Sequence, residues 1–551
     1  MSFDGGGANR AMTIKNPVLA GFNADPSMIR VGDTYYLATS TFEWFPGVRI
    51  HASRDLVHWN LVANVLDETR LLDMKGNPSS GGIWAPDLSY ADGKFWLVYT
   101  DVKVTQGAFK DMTNYVTTAT DVTGPWSDPV RINGVGFDAS LFHDEDGRKY
   151  FVQQTWDHRE YRHQFDGITL TELDPFTLTP DRKTQRTIYA GTERRLVEGP
   201  HLYKIDGWYY LFAAEGGTVW EHQESVARSR TLDALSFETM PRNPFITNVH
   251  TPDFPLQKQG HGALVETPGG QWYYASLVAR PWRHENEDAD APRGWCTLGR
   301  ETSIQQVEWD ADGWPRVVGG QAGLVEVPAP DDAILTEAPA DHSQHDDFEA
   351  GVLDLEWNTL RVPFTPAMGS VGGGSLELVG QGSLANTHDL SLVARRWQAF
   401  DFDASTAVKF EPETYQAMAG LTNYYNDTHW SWVFVTWDST RGRVIEVAEN
   451  NRGEYRSYLR DEAVQVPDGV EWVYLRTVVR TSHYTYEYSF DGATWHGTGV
   501  DLDAKVLSDD YVMQTYGGFF TGAFVGLAAV DLSGYGEAAT FDHFDYRELG
   551  D

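Results

Sequence analysis

The chain has 551 residues, more than one hydrophobic core organises, so two or more domains are expected. Its 41% apolar and 22% charged residues describe a globular protein, and a net charge of -36 repels nucleic acid and anionic lipid, which excludes both as partners. Cys296 stands alone, which excludes intrachain disulfides and cysteine-clustered zinc. The N-terminal MSFDGGGANRAMTIKN has no apolar core of signal-peptide type, and no run of about 18 apolar residues occurs, so a cytoplasmic protein is expected.

Along the first 320 residues one strand-turn-strand unit recurs five times. The units are MIRVGDTYYLATS (28–40), LSYADGKFWLVYT (88–100), LFHDEDGRKYFVQ (141–153), LYKIDGWYYLFAA (202–214) and LVETPGGQWYYAS (264–276). Each joins an apolar half-strand to a second strand rich in aromatic and β-branched residues through a glycine turn, the chemistry of a hairpin. The turn glycines Gly32, Gly93, Gly147, Gly207 and Gly270 are 61, 54, 60 and 63 residues apart. About sixty residues accommodate four strands and their loops, one propeller blade. HASRDLVHWNLV (51–62), TATDVTGPWSDPV (118–130) and ARSRTLDALSFET (227–239) fit the outer strands of blades.

The expected fold is therefore all-β, with a five-bladed β-propeller over residues 1–325. Residues 326–345 lie in a stretch rich in Pro, Ala and Asp and read as a linker. Residues 346–551 hold alternating strands such as HWSWVFVTWD and GRVIEVAEN without the sixty-residue period, and read as a jelly-roll-like β-sandwich.

Three acids stand at the start of a unit's first strand: Asp25 in NADPSMI, Asp138 in FDASLFHDEDG and Glu198 in VEGPHLYKIDG. Asp87 in IWAPDLSY and His261 in GHGALVE are taken to hold the analogous places, so five polar residues would face one axis. Any one such acid taken alone reads first as turn punctuation. Recurrence at one phase of the repeat favours a site. Converging carboxylates suit glycosidic bond cleavage, where one carboxyl protonates the leaving oxygen and another activates water or attacks the anomeric carbon. A third raises the pKa of the acid. A calcium cage with His261 as a ligand is the competing use.

NPVLAGFNADPSMI, TSTFEWFPGVRIHASRDLVHW, GGIWAPDLSY, FDASLFHDEDGRKYF, EGPHLYK, GHGALVE and LGRETSIQQVEWDADGWP together resemble glycoside hydrolase family 43, above all its two-domain β-xylosidases. The resemblance implies an inverting, exo-acting hydrolase that frees xylose from the non-reducing end of β-1,4-xylooligosaccharides. It implies Asp25 as general base, Glu198 as general acid and Asp138 as the carboxylate that tunes that acid. Ala139 stands where the family usually has proline after this aspartate. Phe42, Trp84 and Ala85 correspond to pocket walls, and Arg300 to a donor for sugar hydroxyls. Phe519 or Phe520 corresponds to a sandwich loop that reaches the leaving-group side. His261 corresponds to a channel histidine beside a water-coordinated structural calcium, with no cofactor needed for the chemistry. Asp87 would brace its loop. A homo-oligomer is expected by analogy with relatives. The rival activities are α-L-arabinofuranosidase, alone or combined with xylosidase, and a non-catalytic carbohydrate-binding protein.

Overall fold

Each of the five turn glycines has a positive φ, between 61° and 85°. At Gly32, Gly93 and Gly147 a Cβ would meet nothing within 4 Å, so backbone conformation and not crowding calls for glycine there. The computed structural model describes residues 12–284, 293–335, 342–515 and 518–550. In it each hairpin forms the two inner strands of a four-stranded antiparallel sheet, and the fourth sheet carries one extra short strand. The first blade runs Ser27–Val31, Thr34–Thr39, Gly47–Ser53 and Asn60–Leu66 from the axis outward. The last runs Gln257–Glu266, Trp272–Ala279, Glu301–Trp309 and Pro315–Val317.

Apolar residues run continuously along the second strands, as in KFWLVYTDV, because blades stack face to face and bury both sides of each sheet. Separate buried clusters join successive blades: Ile50 with Leu97, Val98 with Phe151, Leu170 with Leu211, Phe212 with Tyr274, and Ile304 with Leu37 to close the circle. Thr13–Lys15 pairs antiparallel with Glu326–Pro328 and seals the last junction, with Ile14 and Val327 buried between blades five and one. The stretch expected as a linker thus begins as a strand, while residues 336–341 lie outside the described residues.

Beyond it stand two antiparallel sheets of eight and seven strands, a concanavalin-like sandwich. Strand Phe524–Asp531 shows how the sequence serves two neighbours at once. Val525, Leu527 and Ala529 enter the sandwich core, and the alternate Phe524, Ala528 and Val530 face the propeller. The seven-stranded sheet is therefore buried on both faces. Trp44 of blade one stacks on Phe524 with ring centres 3.7 Å apart, and Trp44–Phe45 pairs with Thr359–Leu360 across the junction. Buried guanidinium groups add directional contacts: Arg396 Nε donates to the Phe22 carbonyl at 2.7 Å, and Arg49 pairs with Glu356 at 2.8 Å. Gln344–Asp346 pairs with the last strand at Phe544–Tyr546, and Asp346 accepts from the Phe348 amide and from the Trp357 indole.

The junction behaves as a core by this packing. Trp44→Ala should cost about 3–5 kcal/mol in denaturant unfolding, the range for a buried tryptophan. An unchanged midpoint would show that the two parts merely touch.

Candidate active site

Each blade has a residue of positive φ just before its inner strand or in that strand's first half: Asp25 (52°), Ala85 (24°), Asp138 (50°), Gly199 (57°) and His261 (47°). Four of the five are not glycine, a strained choice of the kind found at functional sites. Register breaks between Trp84 and Asp87, Glu198 and His201, and Gly260 and Gly262 mark the same step in three blades. This common step sets the phase of the repeat. Asp25 and Asp138 occupy it directly, whereas Glu198 sits one residue earlier, with Trp84 and Phe137.

Asp87 is not the counterpart of Asp25. It lies two residues past its blade's step, in register with Ser27, Ser140 and His201, and so one layer further down the channel. Its carboxylate accepts from Ser27 Oγ at 3.1 Å and the Leu141 amide at 2.9 Å, with His201 Nδ1 at 3.4 Å. It ties blades one, two, three and four together beneath the site. The bracing role expected for it stands, although on strands and not on a loop.

Asp25, Asp138, Glu198 and His261 line one narrow pocket with Arg300, Phe42, Trp84 and Phe520. Its volume is ≈50 Å³. Larger cavities of ≈340, ≈550 and ≈480 Å³ contain none of the three carboxylates. Phe42 exchanges backbone hydrogen bonds with Ile83 of the next blade, and the Trp84 indole donates to the Ser80 carbonyl at 2.8 Å. Both rings face Phe520, at 5.5 and 5.7 Å between centres. Phe519 packs against the sandwich core, its ring tilted 51° to that of Phe520 with centres 4.5 Å apart, and Phe520 is the one that reaches the pocket. Ala85 forms the backbone step and is not among the residues lining the pocket.

The three carboxyls have different surroundings. Burial works to raise the Asp25 pKa, but the Arg300 guanidinium, His261 and a hydrogen bond from Ser40 outweigh it and hold the group below its usual value. Arg300 Nη1 donates to one Asp25 oxygen at 2.7 Å and Ser40 Oγ to the other at 2.7 Å. At Glu198 the lowering pulls of Arg300 and Lys110 are the weaker ones. Burial, followed by the charge of Asp25, pushes its pKa up to about 8. Burial and the charges of Glu198 and Asp25 raise Asp138 as well. The site therefore keeps one carboxylate ionised and at least one carboxylic acid protonated at neutral pH, the division that acid–base catalysis needs.

His261 lies 3.4 Å from Asp25, and burial lowers its pKa to about 4, leaving a neutral ring. Arg300 already neutralises Asp25, Asp87 is engaged one layer down, and among the described residues no group of three acidic, histidine or cysteine side chains gathers for a metal.

Phe137, Thr218 and Lys110 escaped the sequence reading. Phe137 and Thr218 line the pocket, and Lys110 Nζ lies 5.5 Å from the Trp84 ring on the side of Glu198. Phe137 was within reach of the repeat, since it occupies the phase of Trp84. The other two come from loops that follow no period.

Residues 14–315 match the model for glycosyl hydrolases family 43, and residues 345–547 match the β-xylosidase C-terminal concanavalin A-like domain. The chain belongs to glycosyl hydrolases family 43. It is a glycoside hydrolase, in a family whose members invert and need no cofactor for the chemistry. It is 48% identical over 539 residues to a β-xylosidase of Bacillus subtilis, an alignment covering 98% of this chain and all of that protein. It is 44% identical to a xylosidase/arabinosidase of Humicola insolens, over 97% of this chain and 98% of the relative. The crystal structure of a xylan β-1,4-xylosidase from Bacillus halodurans superposes with a TM-score of 0.92 at 46% identity, covering 97% of this chain and all of that one.

One buried ion pair joins blade five to the sandwich domain. Lys258 Nζ, in the inner strand of blade five, meets Asp510 Oδ1 at 2.7 Å, and Asp510 Oδ2 accepts from the Cys296 amide at 2.9 Å. Asp510 belongs to the short helix Asp509–Met513, a few residues ahead of Phe520. Lys258→Met should cost about 3–5 kcal/mol, because it strands a buried carboxylate. Adding Asp510→Leu should recover much of that loss in thermal unfolding, and no recovery would mean that the pair is not coupled.

Proposed function

We propose that this hydrolase removes xylose units one at a time from the non-reducing end of short β-1,4-xylooligosaccharides, with inversion at the anomeric carbon. The opposite pulls on Asp25 and Glu198 carry the reading. Asp25, kept ionised by Arg300, takes a proton from water as the water oxygen attacks the anomeric carbon. Glu198, kept protonated by burial and by the charge of Asp25, delivers its proton to the glycosidic oxygen as that bond breaks. Asp138, raised by burial and by the charges of Glu198 and Asp25, keeps its proton beside Glu198 and so leaves the negative charge of the site on Asp25. Arg300, already fixed on Asp25, has further N–H donors for sugar hydroxyls. Phe42, Trp84 and Phe520 enclose one ring, which favours exo action. The substrate class is supported by the named activities of the full-length relatives.

A double activity on α-L-arabinofuranosides is the second reading, and the dual name of the Humicola insolens relative favours it. Turnover of aryl xyloside against aryl arabinofuranoside separates the two.

Since Asp25 must be charged and Glu198 protonated, kcat/KM should hold through neutrality and fall as pH rises through about 8. An alkaline limb near 4.5, the ordinary glutamate value, would remove Glu198 from the role of acid. The decisive measurement is proton NMR of xylobiose during hydrolysis. α-Xylose should appear first, whereas β-xylose as the first anomer would overturn Asp25 as a base acting on water.

A further inference from the structure

The pocket encloses one ring, and a longer substrate must continue past Glu198. On that side the wall residue Phe137 meets Trp84 edge-on at 5.1 Å and Trp156 at 6.1 Å. Lys110 Nζ lies between the two indoles, 5.5 Å from Trp84 and 4.6 Å from Trp156, and Glu198 acts on its charge. The Trp156 indole donates to the Ala108 carbonyl at 2.9 Å, which ties the blade-two loop carrying Lys110 to blade three. One residue past Ala108 and two past Trp156 the line continues outward. Phe109 stacks on His158 with ring centres 4.9 Å apart and planes 26° from parallel.

Phe109 is 65% exposed. A phenylalanine so placed adds little to the core, and packing does not explain it. Its ring is nevertheless oriented, because His158 backs it and the Trp156–Ala108 bond fixes the loop. Xylose has no hydroxymethyl arm, so its ring presents apolar C–H faces to an aromatic surface.

We propose that Phe109, backed by His158, is a further leaving-group subsite: a stacking platform for the second sugar beyond the scissile bond, which makes the enzyme prefer xylotriose and longer chains to xylobiose. This rests on the reading of Glu198 as the acid and of xylooligosaccharides as substrates. The platform acts by holding the leaving chain while the pocket holds the terminal ring, so its effect falls on substrates long enough to touch it.

The test compares xylobiose, xylotriose and xylotetraose on the full chain and on Phe109→Ala. The variant should lose about three- to tenfold in kcat/KM on the two longer substrates, mostly through KM, and stay within about twofold on xylobiose. Phe109→Trp should keep the preference for longer chains. Equal losses on all three substrates would make Phe109 part of the pocket and overturn the platform, as would no loss on any. Should the wild type leave xylobiose intact, the reading of the substrate fails separately. Xylotetraose binding, followed by tryptophan fluorescence in the two proteins, then decides the platform: equal affinity overturns it, and weaker binding by Phe109→Ala supports it.

Discussion

Three carboxyls buried at one point cannot all be ionised, and the guanidinium of Arg300 decides which of them is. It donates to Asp25 at 2.7 Å and, through its other amino group, to the Phe520 carbonyl at 3.2 Å. The first contact localises the negative charge. With that charge settled on Asp25, Coulomb repulsion and burial keep the proton on the remaining carboxyls. The second contact seats the sandwich loop against the propeller. One side chain thus sets both the protonation pattern and the closure of the pocket.

Each requirement has a structural cost that the fold meets elsewhere. Positive φ at Asp25, Asp138 and His261 persists because five stacked blades, joined by separate apolar clusters, over-determine the start of each inner strand. The open face of the propeller is covered by a sheet buried on both sides, so the pocket lies inside a continuous apolar junction that runs from Phe22 through Trp44 to Phe524. Low dielectric in that junction is what gives a single guanidinium its influence. The acidity of the whole chain has no part in this, since a neutral sugar feels no net attraction to it.

Much of the propeller was legible because its signals are local. Glycine turns every sixty residues or so and continuous apolar second strands are written within each hairpin, and the five blades follow from them. The carboxylates were legible by phase, but the phase itself was misread at Asp87. A backbone bulge adds a residue that spacing does not reveal, so two acids that both precede the turn by a few residues ended in different layers of the channel. Phe519 and Phe520 are adjacent and chemically identical, and only the packing of one against the sandwich core separates them.

By itself the sequence determined the hairpins, the number of blades, the sandwich strands and the acids at the blade starts, since each depends on the conformational preferences of neighbouring residues. Only the tertiary structure decided which acid is charged, which phenylalanine lines the pocket and how the sandwich is held to the propeller. Arg300 and Asp25 are 275 residues apart, and Lys258 and Asp510 are 252 apart. Electrostatic coupling falls with distance in space and rises with burial, and neither is a function of distance along the chain.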